Sequence, residues 1–171
     1  GNVATNAGGI KVIRYGLTRD WVAGMKVVTG TGALLDCNAG LVKNATGYDF
    51  RHLLIGSEGT LGLMCELDMR LAPMPEPQSV MVVGVPQVAD LLEILHAFAV
   101  QITRSAFAFF TDWALAKVQA LRDFAAPLAE SVAYYAFLEF DQSSLTLAED
   151  AFAQCMDGGW LVDGVVSQSE A

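Results

Sequence analysis

The sequence predicts an α+β fold, on three observations. Residues 61–71 (LGLMCELDMRL) place Leu61, Leu63, Cys65, Leu67, Met69 and Leu71 at alternate positions with Glu66, Asp68 and Arg70 between them, the period of two of a strand with one buried face. Gly30-Thr31-Gly32 separates two apolar runs, as in a β-hairpin with a short glycine turn. Beyond residue 79 the segments run strand, helix, strand, strand, helix, strand, which makes an antiparallel sheet with helices on one face.

In chain order, residues 1–9 (GNVATNAGG) are small throughout and without periodicity, a loop suited to close backbone approach. The hairpin strands are 21–29 and 33–37, and residues 50–55 (FRHLLI) read as the end of a helix running into GSEGTLG. Residues 72–77 (APMPEP) hold three of the five prolines, which fix φ and remove backbone donors. The expected division is therefore 1–73, a proline-rich linker 74–79, and 80–171. In the last part the strands are 80–85, 106–110, 132–140 and 162–167, and the helices 88–98, 113–124 and 145–156. Trp113, Val118, Leu121 and Phe124 share one side of the middle helix, and Phe107, Phe109, Phe110, Tyr134 and Tyr135 are read as sheet core. That order is the ferredoxin-like split pattern.

Composition excludes several functions. With 171 residues and 53% apolar content the chain is no disordered tail, yet no apolar run approaches the ~18–20 residues of a spanning helix. The net charge is −9, and all of it lies beyond residue 79, since 1–79 carry seven basic and seven acidic residues. An acidic surface repels phosphate backbones, so a nucleic-acid partner is not expected. Cys37, Cys65 and Cys155 are odd in number and widely spaced, which reads as a reduced, cytoplasmic chain. His52 and His96 lack partners at metal-ligand spacing, so no metal site and no catalytic residue is assigned.

Two short motifs fail on inspection. Gly30-Thr31-Gly32 lacks the third glycine of a dinucleotide fingerprint and is followed by a strand. Gly56-Ser57-Glu58-Gly59 lacks the glycine two residues before the serine that a nucleophile elbow needs. What remains is a pair of glycine-rich loops, GNVATNAGG and IGSEGTLG, whose small residues suit either ordinary turns or the cradle of a phosphate-bearing cofactor.

Taken in order, GNVATNAGG, RYGLTRD (14–20), Val22-x-Gly24-x-x-Val27-Val28, KNATGYD (43–49) and IGSEGTLG (55–62) resemble the FAD-linked oxidases and dehydrogenases of the glycolate oxidase large subunit, D-lactate dehydrogenase and D-2-hydroxyglutarate dehydrogenase type. The close match covers residues 1 to about 75, with a looser one to the family's cap that ends in Val165-Val166-Ser167-Gln168-Ser169-Glu170-Ala171. The resemblance implies the second half of a vanillyl-alcohol-oxidase-type FAD-binding domain followed by an incomplete ferredoxin-like cap. By that analogy Thr5, Asn6, Ala7, Gly8 and Gly9 line the flavin or pyrophosphate, Gly56, Ser57, Glu58, Gly59 and Gly62 approach FAD, and the backbone of Leu63 and Met64 lies near adenine. It also implies a 2-hydroxy acid substrate (glycolate, D-lactate or D-2-hydroxyglutarate), hydride transfer to flavin N5, and a quinone, flavoprotein or cytochrome as electron acceptor.

The expectation is an internal fragment, inactive by itself, because the family's main pyrophosphate loop and its histidine-rich catalytic segment are not among these residues. The rival expectation is a non-catalytic α+β interaction module, homo-oligomeric or complementing another subunit. For single residues, Arg14 and Arg19 are read as structural rather than phosphate-binding, with Arg19 paired to Asp20, and Glu58 as a loop brace. Tyr48 and Asp49 are read as fixing the turn before a helix, His52 as a helix residue and His96 as packed or surface.

Overall fold

A computed structural model describes residues 1–37, 41, 43–122 and 124–168. Asp123 of the middle helix and Ser169, Glu170 and Ala171 of the closing motif lie outside the described residues. The elements are α1 (Val12–Tyr15), α2 (Thr18–Trp21), β1 (Val22–Val28), β2 (Leu34–Cys37), α3 (Phe50–Leu54), β3 (Leu63–Met69), β4 (Gln78–Val85), α4 (Asp90–Gln101), β5 (Arg104–Thr111), α5 (Asp112–Gln119), β6 (Tyr134–Asp141), α6 (Leu145–Asp157) and β7 (Asp163–Gln168). They form two compact units, Gly1–Gly9 with Gly16–Pro73 and Ile10–Tyr15 with Met74–Ala171.

The first unit is an antiparallel sheet of order β2-β1-β3. Its core is Val3, Val22, Met25, Val27, Cys37, Leu54 and Ile55. The hairpin forms as the sequence predicts, with Thr29 N donating to Ala33 O across the glycine turn. Helix α3 is a whole short helix rather than the end of a longer one, because the Asp49 carboxylate accepts from the Arg51 amide and starts it there.

The expected buried face of residues 61–71 is corrected. Met25 pairs with Leu67 and Val27 with Met64, so Cys65 is an extra residue and the register shifts around it. Alternation through this bulge puts Met64, not Leu63, on the face shared with Leu67. Leu63 is 71% exposed, and Leu67 and Met69 also remain open.

The second unit is an antiparallel sheet of order β5-β6-β4-β7. With β4 as its first strand, this is the strand order of the ferredoxin-like pattern, and the α+β fold holds. Met81, Val83, Val85, Ala136, Leu138 and Phe140 pack against Leu91, Ile94, Ala97 and Phe98 of α4 and Ala148, Ala151 and Cys155 of α6. The cost of removing Cys155 from water pushes its thiol up to about 11. Strand β4 starts at Gln78, within the stretch read as linker.

Two expectations for this unit fail. Helix α5 stops at Gln119 and buries no residue, leaving Trp113, Val118, Leu121 and Phe124 exposed. Phe109 is also exposed, whereas Tyr135 is buried and stacks on Phe110 with ring centroids 5.1 Å apart.

Candidate functional site

The two glycine-rich loops meet in the first unit through their backbones. Gly56 N donates to Val3 O at 3.1 Å and Glu58 N to Ala4 O at 2.9 Å. Within the first loop, the amides of Thr5, Asn6 and Ala7 bond Gly1 O, Val3 O and Asn2 O, so they are already engaged rather than free for a phosphate. The loop is held to α2 from its other side: Thr18 N and Oγ1 both donate to Ala7 O, and Arg19 N donates to Asn6 Oδ1 at 3.1 Å. Asn6 takes φ +48°, a conformation asparagine tolerates better than most residues.

Two glycines are explained by close approach. Gly56 has φ +84°, and a Cβ there would sit 3.3 Å from the Asn6 Cβ. A Cβ on Gly62 would meet Val27 Cγ1 at 2.6 Å and Val28 O at 2.8 Å, so the second loop can lie on β1 only with glycine at that position. Glu58, at φ +52°, braces the first loop through its amide.

A groove of about 600 Å³ opens between these loops and β3, lined by Gly1, Asn2, Val3, Ala4, Gly59, Gly62, Leu63, Met64, Leu67 and Met69. That is within the ~300–1,000 Å³ of small-molecule sites. It brings Gly59, Gly62, Leu63 and Met64 together, while Thr5, Asn6, Ala7, Gly8, Gly9, Gly56, Ser57 and Glu58 lie outside its lining. The other lining residues fall in the two loops or at Leu63 and Met64, and sequence reasoning missed Leu67 and Met69. The signal for these two was present as the apolar stripe of β3, which was assigned to a core.

The lining fits part of FAD. Glycine backbone beside open Leu and Met side chains suits a flat ring system, which buries apolar faces and leaves its polar edge to backbone groups. No Lys or Arg is in the lining, so the residues supply no countercharge for a pyrophosphate. Arg19 Nε of α2 and Ser57 Oγ of the second loop are enclosed without a hydrogen-bond partner. Such atoms in native structures call for an explanation, an absent bound group among them.

The remaining motif residues are structural. The Arg51 guanidinium chelates Asp49 at 2.6 and 2.9 Å and donates to the carbonyls of Val22 and Ala23, tying α3 to β1. That hydrogen-bonded pairing lowers the Asp49 carboxyl below its ordinary value. Asp20 accepts from the Leu17 amide at 2.8 Å instead of pairing with Arg19, which reaches Ile55 O. His52 lies on α3, 3.6 Å from Asp49, and His96 is on the surface of α4. Arg14 is paired with Asp141 in the second unit.

Residues 1–38 match the family model described as FAD binding domain. Along 99% of its length the chain is 53% identical to the D-2-hydroxyglutarate dehydrogenase of Stutzerimonas stutzeri. The similarity to D-2-hydroxyglutarate dehydrogenases runs along the whole chain. The chain is 35% identical over 99% of its length to the mitochondrial D-2-hydroxyglutarate dehydrogenase of Bos taurus, and 43% identical over 44% to the glycolate oxidase subunit GlcD of Bacillus subtilis. It spans about a third of the length of the dehydrogenases, 37% of the bacterial and 32% of the bovine protein. A solved structure of alkyldihydroxyacetonephosphate synthase superimposes on 95% of the chain, and on 33% of its own, with a TM-score of 0.69 at 16% identity, so the α+β fold is shared. FAD is the cofactor to which this relationship points. No helix among the described residues is long and apolar enough to cross a membrane.

Proposed function

We propose that this chain is the part of an FAD-dependent 2-hydroxy-acid dehydrogenase that holds one end of the cofactor and most of the cap, with D-2-hydroxyglutarate as the preferred substrate. The observation that carries the reading is the 53% identity to a D-2-hydroxyglutarate dehydrogenase along the whole chain. The groove beside β3 supports the cofactor half of it. Residues 1–73, apart from Ile10–Tyr15, contribute to the FAD domain and 80–171 to the cap, with the proline stretch joining them. Gly59, Gly62, Leu63 and Met64 contact the cofactor directly, and Thr5, Asn6, Ala7, Gly8, Gly9, Gly56, Ser57 and Glu58 shape or approach its site.

FAD, when bound, supplies the hydride acceptor for oxidation of the substrate α-carbon. The residues of this chain bind and orient it: Val3, Leu63, Leu67 and Met69 exclude water from one side of a ring, and the Gly56 and Glu58 amides fix the loops. No proton-transfer residue is assigned within the chain, and the 171 residues by themselves do not turn over. The protein works in the cytoplasm and passes electrons to a quinone, flavoprotein or cytochrome.

The test uses the full-length parent. It purifies yellow and oxidises D-2-hydroxyglutarate with an artificial dye acceptor, with a higher kcat/KM than for D-lactate or glycolate. A colourless parent that takes up no added FAD overturns the cofactor assignment, and preference for another 2-hydroxy acid overturns the substrate.

A further inference from the structure

The chain leaves the first unit directly after the first loop, at Gly9. Residues 5–9 belong to the first unit, but Ile10–Tyr15, joined to them by one peptide bond, belongs to the second, and the chain returns at Gly16. What holds that excursion is charge rather than apolar burial. Ile10, Val12 and Ile13 remain 40–50% exposed and α1 buries no residue. The Arg14 side chain is only 21% exposed and its partner Asp141 only 16%, with Nη1 and Oδ1 2.6 Å apart. Lys11 Nζ reaches Glu139 at 2.6 Å on the same strand, β6.

Around Arg14 the second unit builds a closed ring of hydrogen bonds. Arg14 Nη1 donates to Asp141 Oδ1 and, at 2.7 Å, to Ser105 Oγ. The Ser105 hydroxyl donates to Gln78 Oε1, and Gln78 Nε2 donates back to Asp141 Oδ1 at 2.6 Å. Three strands contribute, β4 through Gln78, β5 through Ser105 and β6 through Asp141. Ser105 is the unpaired residue of a register shift between Arg104 and Ala106, and such a bulge re-aims one side chain. The hydrogen bond between them raises the Arg14 guanidinium and lowers the Asp141 carboxyl, so the pair is fully charged at neutral pH.

We propose that Arg14 and Asp141 are positioning residues for the cofactor loop: by fixing Ile10–Tyr15 on the second unit's sheet they set the conformation of residues 5–9 through the peptide chain. The cap strand β6 thereby governs a loop more than a hundred residues earlier in sequence, and cofactor affinity depends on side chains that do not touch the cofactor. The cofactor part of this inference rests on the proposed FAD site; the conformational part does not.

The experiment uses the full-length parent with and without FAD, and reads FAD dissociation together with hydrogen exchange. In Arg14→Gln and Asp141→Asn, FAD binds about tenfold more weakly, the scale of one lost charged hydrogen bond. Amides 5–9 of the FAD-free protein exchange faster in both, and Arg14→Lys falls between Arg14→Gln and the wild type. Should either fail to fold, Lys11→Gln removes the half-exposed pair on the same segment and shifts both readouts in the same direction. The inference is overturned if exchange at residues 11–15 rises, showing the anchor lost, while amides 5–9 and FAD affinity stay as in the wild type. A wild-type parent that binds no FAD sinks the cofactor reading alone, because the exchange comparison at residues 5–9 still decides the positioning role.

Discussion

Arg51 shows how one side chain does two jobs. Its side chain is 14% exposed, and its guanidinium satisfies the carbonyls of Val22 and Ala23 while held by Asp49, which also caps α3. Arg51→Ala removes these bonds together and lowers stability by about 2 kcal/mol, read as a fall in the urea midpoint with the slope unchanged. Asp49 and Asp141 both titrate below the ordinary carboxylate value, because Arg51 and Arg14 hydrogen-bond their charged forms. A lowered folded-state pKa gives stability that is complete above the unfolded value and is lost as pH falls through the folded one. Urea midpoints are therefore flat from neutrality to about pH 5 and decline below about pH 4, and Asp141→Asn removes part of that decline. The three cysteines separate by environment. Cys65 is exposed, Cys37 is buried with its thiol raised by that burial, and Cys155 is pushed up to about 11. In native protein at pH 7.5, a thiol reagent labels Cys65 alone within minutes, and Cys37 and Cys155 react only after unfolding.

Among the elements, β3 supplies the apolar wall of the groove. Its period of two was legible in the sequence, as were the hairpin, the proline break and the strand order of the second sheet. Its bulge was not, because an extra residue at Cys65 is a property of pairing with β1 and appears only when Met25↔Leu67 and Val27↔Met64 are seen together. For the same reason an apolar stripe read as core turns out to line an open groove. Helix α5 fails differently: Trp113, Val118, Leu121 and Phe124 have helical spacing, but the helix ends at Gln119 before the last two can join it. The two glycine-rich loops stood out in the sequence, and the structure brings them together. Which amides remain free was not legible there, since those of Thr5, Asn6 and Ala7 are consumed by turns that composition does not show. Gly62 tests the element directly. In Gly62→Ala the new Cβ must push Val27 Cγ1 and the Val28 carbonyl from 2.6 and 2.8 Å, lifting the second loop off β1. The expected cost is about 1–3 kcal/mol, with weaker FAD binding in the full-length parent. Unchanged stability in thermal unfolding contradicts this account of the loop.

At the scale of the whole molecule, two cores with different loads share one chain. The first unit is nearly balanced in charge and carries the groove, whereas the second contains the acidic excess and the larger core. A cofactor held by the first unit stabilises that unit by mass action, about a hundredfold in its opening equilibrium at free FAD a hundred times the dissociation constant. Amides of β1, paired to both neighbouring strands, report this directly. If the Arg14–Asp141 anchor strengthens FAD binding tenfold, linkage requires FAD to strengthen the anchor by the same factor. Hydrogen exchange on the full-length parent at saturating FAD then shows three levels of protection: about a hundredfold in β1, about tenfold at residues 11–15, and none in α6, whose buried face packs wholly within the second core. Equal protection in β1 and α6 means the two units open as one, and protection in β1 without any at residues 11–15 breaks the linkage between cap and cofactor loop.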